Sequence, residues 1–203
     1  MIIIETLSLS DALKYPFKMP TRLLYALLLF IPILGPLTIY GYVVRLVNEF
    51  VDGKYEGPIK LDIIEDLKLG IFTFLKAIPF IIACVIVVFG ASYVSSTLGF
   101  ISILLALFVI PILMVNFFRK QTIGSFFEFS ILNVIKDNIG DYVIALLKQY
   151  VLTIVFLILS FILIGIPALY FTNSIFIADF YGNYIEQKHT HAFETRSEKP
   201  LTV

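Results

Sequence analysis

Tryptophan is absent from this chain of 203 residues, cysteine occurs once and histidine twice. A single cysteine, Cys84, cannot form a disulfide within the chain. It sits inside an apolar run and reads as a small packed hydrophobe. His189 and His191 stand two apart in the polar C-terminal segment, with no HExxH spacing. They read as part of a solvated tail, and no metal site is expected. Charge of either sign is not in excess, because 15 Lys and Arg balance 15 Asp and Glu. No nucleic-acid partner is therefore expected. There is no G-x-S-x-G turn, no histidine within an apolar run, no P-loop and no dinucleotide fingerprint. Asp179 has no second intramembrane aspartate for a protease dyad. The chain reads as a non-enzyme with no cofactor.

Apolar residues fill the space. The chain is 59% hydrophobic and 15% charged, with a mean hydropathy of +0.96, whereas soluble domains are about 45–50% apolar and about 25% charged. Residues 77–118 hold no charged side chain over 42 positions. As a helix that is ~63 Å, twice the ~30 Å hydrocarbon core of a bilayer. Its middle, Gly90-Ala91-Ser92-Tyr93-Val94-Ser95-Ser96-Thr97, is small and polar. The run predicts a helical hairpin that crosses a membrane and returns.

Two more uncharged stretches, residues 23–44 and 149–178, complete the pattern, and all Lys and Arg residues fall outside the three. Basic residues in short loops stay on the cytoplasmic side. The simplest arrangement puts every charged segment, and both termini, on that face of a cell membrane. The N-terminus lacks a basic start and a prompt cleavage pattern, so it is expected to stay in the mature protein. Lys76 and Lys148 lie about two turns inside their helices and are expected to snorkel to the interface. The expected fold is all-α and integral to the membrane. About four full spans are predicted, over 69–93, 97–118, 142–164 and 167–184, in one membrane domain at 1–187. A polar, disordered tail follows at 188–203.

The first stretch, 23–44, suits a single crossing by length, yet Pro32, Gly35 and Pro36 interrupt it. It reads either as a kinked single span or as a re-entrant hairpin of two half-helices. Gly165 and Pro167 predict a break in the third stretch, and Pro79 and Pro111 predict further breaks or kinks. Asp62, with Glu65 three residues on, resembles a capping box that starts the second membrane helix. Residues 125–140 alternate polar and apolar groups at roughly helical spacing, which predicts an amphipathic helix lying along the membrane surface. A faint echo between Ile39–Arg45 and Phe180–Glu186 hints at internal duplication.

The candidate polar positions are few. Asp179 is ionisable at the end of an apolar stretch, which marks a functional position or an ordinary headgroup-level residue. Arg45 could pair with it and lock the first and last membrane elements together. Asn116 and Asn173 could bridge helices.

The segment Asp11-Ala12-Leu13-Lys14-Tyr15-Pro16-Phe17-Lys18, then Gly41-Tyr42-Val43-Val44-Arg45, Gly57-Pro58, Leu69-Gly70, and Phe127 to Asp141-Tyr142 follow one another in order. This order resembles the multi-pass membrane family called domain of unknown function 4013, found mainly in archaea. The resemblance implies an integral membrane protein of a prokaryotic cell and brings no catalytic residue or cofactor. Two roles fit: a membrane-embedded scaffold or assembly partner, or a small-solute permease or channel subunit acting as an oligomer. The expected surroundings are the lipid bilayer and a membrane-protein partner or second copy.

Overall fold

The computed structural model describes residues 7–18, 24–53, 59–162 and 165–186. The tail 188–203 with His189 and His191, and the Gly57-Pro58 turn, lie outside the described residues. All regular structure among the described residues is helical.

Helix α1 (Leu9–Lys14) starts at Ser8, whose hydroxyl oxygen accepts the Asp11 amide at 3.1 Å. Short 3₁₀ turns follow at Tyr15–Lys18 and Leu24–Phe30. Helix α2 spans Leu34–Val51. The long pair is α3 (Ile63–Val94) and α4 (Ser96–Lys120), joined at Ser95. After a 3₁₀ turn at Ile123–Phe127 come α5 (Ile131–Asp137) and α6 (Ile139–Leu159). Two short helices follow, α7 (Gly165–Phe171) and α8 (Ile175–Tyr181), and a π-helical turn at Gly182–Glu186 closes the described chain.

Among the described residues, three helices are long and apolar enough to cross a membrane: α3, α4 and α6. Only 17%, 22% and 28% of their most apolar windows is buried. The apolar side chains therefore face outward, as a lipid solvent requires and water does not. The expected fourth span over 167–184 is instead the pair α7–α8. Ser174, at φ 68°, interrupts it, and a non-glycine residue in that region does not continue a right-handed helix.

The uncharged run 77–118 is a hairpin. Ser95 is extended, accepts the Thr97 amide on its hydroxyl at 3.2 Å and sends its own amide to Ala91. That one residue closes α3 and opens α4. Pro79 and Pro111 lie inside these helices, which continue through them. The expected breaks there do not occur, because one missing N–H per proline is tolerable when neighbouring turns stay bonded.

The first stretch reverses. The Leu7 amide bonds Asp179, and Val51 at the far end of α2 packs its carbonyl on Gly182, three residues past Asp179. In between, Leu28 lies against Gly35, where an added Cβ would stand 1.6 Å from the Leu28 carbonyl oxygen. The chain turns at Ile31–Ile33, with Ile33 at φ 68°. Pro32 sits in that turn and Pro36 in the first turn of α2, where its missing N–H is no loss. Of the two readings of residues 23–44, the re-entrant one matches this path.

Helix α3 begins where the sequence places it. The Asp62 carboxylate caps the amides of Ile64 and Glu65 at 3.1 and 3.0 Å. The reciprocal bond goes to Asp66, which accepts the Asp62 amide at 3.0 Å. Helices α2 and α3 run antiparallel and touch at Gly41 and Gly70. A Cβ on either would come within 2 Å of backbone oxygen on the other helix.

The segment 125–140 is not one amphipathic helix. A turn at Glu128–Ser130 divides it, because Phe126 leaves the surface. Phe126 stacks between Phe80 and Phe117, at ring distances of 4.2 and 3.9 Å, and is fully buried. Burying that ring outweighs the regularity of a surface helix.

Candidate functional site

The last helices return alongside α6 and bring polar groups together at one end of the bundle. Two clusters result, and each is set by a break in helical geometry.

The first is centred on Asn116, near the end of α4 and 1% exposed. Its amide nitrogen donates to the Ser125 carbonyl at 2.7 Å and to Glu128 at 3.0 Å. Its oxygen accepts the Tyr181 hydroxyl at 2.7 Å. Asn116 thus joins α4, the turn after it and α8, the bridging role expected of it. Glu128 also pairs with Lys120. The Lys120 ammonium and then the Asn116 amide hold the Glu128 carboxyl below the ordinary carboxylate range.

The second is a cavity of about 170 Å³ between α6 and α8. Asp141, Ile144, Ala145 and Lys148 form its α6 wall. Phe176, Asp179, Phe180, Asn183 and Tyr184 form the opposite wall. Asp179 is 6% exposed. Its oxygens accept the Leu7 amide and the Asn183 side-chain amide, each at 3.1 Å. It therefore ties Leu7 to α8 and to the turn that follows it. Tyr184 donates to Asp141 at 2.8 Å. Lys148 is half-buried; its ammonium donates to the Leu7 carbonyl at 3.4 Å and lies 5.7 Å from the centre of the Phe176 ring.

The expected Arg45–Asp179 pair does not form; Arg45 binds Asp66. The guanidinium is bidentate, Nε to Oδ1 at 2.6 Å and Nη2 to Oδ2 at 2.7 Å, and Nη2 also donates to the Lys60 carbonyl at 2.9 Å. The Gly41–Gly70 crossing decides this, since Arg45 and Asp66 each lie one turn from it and face each other. Lys76 donates to the Gln121 carbonyl at 2.8 Å, so its ammonium caps the end of α4. Asn173 is exposed, next to the Ser174 break.

Three residues beyond the candidate polar positions also matter: Asp66, Gln149 and Tyr181. Gln149 is 5% exposed. Its amide donates to the Thr172 carbonyl at 3.0 Å and accepts the Phe176 amide at 3.2 Å. One side chain thereby bonds a carbonyl before the break at Ser174 and an amide after it; the Thr172 carbonyl also takes the Ile175 amide at 3.5 Å. Its signal in the sequence is a lone amide at depth on the helix preceding a Gly-Ile-Pro break. Gly165 opens α7, where a Cβ would meet the Phe156 carbonyl at 2.2 Å, and Pro167 falls within the first turn.

Larger hollows elsewhere are apolar. One of about 340 Å³ lies between α3 and α4 against Cys84, Val87 and Leu105. No group of three metal-ligating side chains forms among the described residues.

Residues 24–167 match the family described as protein of unknown function (DUF4013). The match covers more than half of the chain, which belongs to that family. No curated protein and no solved structure matches it.

Proposed function

We propose that this DUF4013 protein is a multi-pass protein of a prokaryotic cell membrane that acts as a membrane-embedded scaffold or assembly partner, with both termini cytoplasmic. One observation carries the reading. Between Ile81 and Leu107 the α3–α4 hairpin buries only Gly99. Ile86, Phe89, Phe100 and Leu105 are 59–71% exposed. The hairpin presents two helix faces that nothing in the described chain covers, while Asn116 and Gln149 are engaged in holding the bundle together. Such a division suits a protein whose membrane surface is its working part. The distribution of Lys and Arg supports the orientation.

A photo-crosslinker at Val87 or Leu104 in native membranes tests it. A discrete protein adduct, with a membrane partner or a second copy, is expected. Adducts with lipid alone would overturn the reading.

The alternative, a small-solute permease or channel subunit acting as an oligomer, draws on the broken α7–α8 pair. Discontinuous helices form the substrate sites of many transporters. Solute flux in proteoliposomes that Gln149→Leu abolishes would favour it over the scaffold.

A further inference from the structure

The cavity between α6 and α8 has a polarity of its own, set by two side chains on one helix. Asp141 lies in the first turn of α6 and is exposed. One of its oxygens takes the Tyr184 hydroxyl, and the residue lines the cavity. Lys148 lies seven residues further, about 10 Å deeper along the axis. Its ammonium has only the long bond to the Leu7 carbonyl and the Phe176 ring, and no ion pair joins it to a carboxylate among the described residues. Asp179, across the cavity, already accepts Leu7 and Asn183. The charges that line the cavity are thus two carboxylates, Asp141 at the outer end and Asp179 across from it, and the Lys148 ammonium two turns in from Asp141, with Ile144 and Ala145 between Asp141 and Lys148.

A second feature continues from the same wall. Ile144, Leu147, Val151, Ile154 and Ile158 recur every three or four residues and are 46–62% exposed. They make a straight apolar stripe that runs from the cavity toward the far end of α6.

From these two features we infer that the cavity binds the zwitterionic headgroup of an aminophospholipid, with its acyl chains along the α6 stripe. In such a lipid the amine is outermost and the phosphate lies next to the glycerol, deeper in the membrane. That order matches Asp141 outside and Lys148 inside. The amine donates to the Asp141 carboxylate, and the phosphate accepts from the Lys148 ammonium; both are charge-assisted bonds in a partly dry site. A headgroup lacking the amine would leave Asp141 unsatisfied and face a carboxylate with its own negative charge. The inference does not depend on what the α3–α4 hairpin holds.

Native mass spectrometry and thermal unfolding of the full chain in detergent test it, with three probes. Phosphatidylethanolamine should be retained as a single adduct and raise the melting temperature. Phosphatidylglycerol, which has no amine, and glycerophosphoethanolamine, which has no chains, should each be retained at least about tenfold less well. Asp141→Asn and Lys148→Gln should each weaken phosphatidylethanolamine retention by about tenfold, the value of one charge-assisted bond, while Lys148→Arg keeps it. Asp141 is exposed, so its variant should fold and elute as the native chain does. Equal retention of phosphatidylglycerol, or native retention by Asp141→Asn, would overturn the headgroup assignment. Tight binding of glycerophosphoethanolamine alone would overturn the lipid and identify a soluble zwitterion instead.

Discussion

Arg45 grips Asp66 with both nitrogens of its fork, and the Asp66 side chain is fully buried beneath it. The pair sits one turn from the Gly41–Gly70 contact, on the same seam between α2 and α3. Close backbone approach brings the two charged groups into bidentate range. The pair in turn fixes the register of α2 against α3.

Arg45→Gln leaves the buried Asp66 carboxylate without its counter-charge and should lower stability by about 3–5 kcal/mol, read as thermal unfolding in detergent. Asp66→Asn should cost less, because the Arg45 side chain it leaves is 31% exposed and keeps the Lys60 carbonyl. Arg45→Lys should recover little, because an ammonium cannot make two parallel bonds. The double variant should cost less than the sum of the singles, since it leaves no lone charge. Additive losses would mean that the two side chains do not act as a unit.

The glycine contact predicts a contrast. Gly41→Ala and Gly70→Ala place a methyl within 2 Å of backbone oxygen, so the helices must separate. Each should destabilise by about 1–3 kcal/mol or more. Gly90→Ala adds a methyl to open space and should be neutral or raise stability by up to about 1 kcal/mol, as a helix-interior glycine replacement. Similar melting temperatures for all three variants would count against the seam.

Gln149 should be expensive to replace for its size. Gln149→Leu strips the side-chain partner from the Phe176 amide, worth about 1–3 kcal/mol when left unsatisfied, and leaves the Thr172 carbonyl only the long bond from the Ile175 amide. Hydrogen exchange should show the Phe176 amide opening faster, with the α3–α4 hairpin unchanged.

Glu128 gives a small dependence on pH. Its folded carboxyl titrates below its unfolded value, so its contribution is present above the ordinary carboxylate range. It is lost as pH falls through the depressed folded value. Melting curves of the native chain and Glu128→Gln should converge on acidification and part near neutrality. The gap should be modest, because Glu128 and Lys120 are both exposed.

The long apolar runs were legible because solvent sorts them. No arrangement of neighbours could make residues 77–118 comfortable in water, so a hairpin follows from composition, and Ser95 at its turn from local capping chemistry. The cap at Asp62 was legible for the same local reason. Asn116 was legible as a bridge, since a lone amide in an apolar helix needs a partner. Its partners were not, because Ser125, Glu128 and Tyr181 reach it through a folded turn and a distant helix.

Pairing was the property that could not be read along the chain. Arg45 has several carboxylates within plausible reach, and only the approach of Gly41 to Gly70 selects Asp66 over Asp179. The fate of residues 23–44 also depended on packing. Proline and glycine allow a reversal, but the contact of Leu28 with Gly35 and the docking of Leu7 on Asp179 make it the stable path. The same holds for 167–184, whose hydropathy suits a span. It divides at Ser174, where Gln149, on another helix, bonds the Thr172 carbonyl and the Phe176 amide. Hydropathy is a sum over neighbours in sequence, whereas hydrogen-bond satisfaction is settled between residues that only the fold brings within 3 Å.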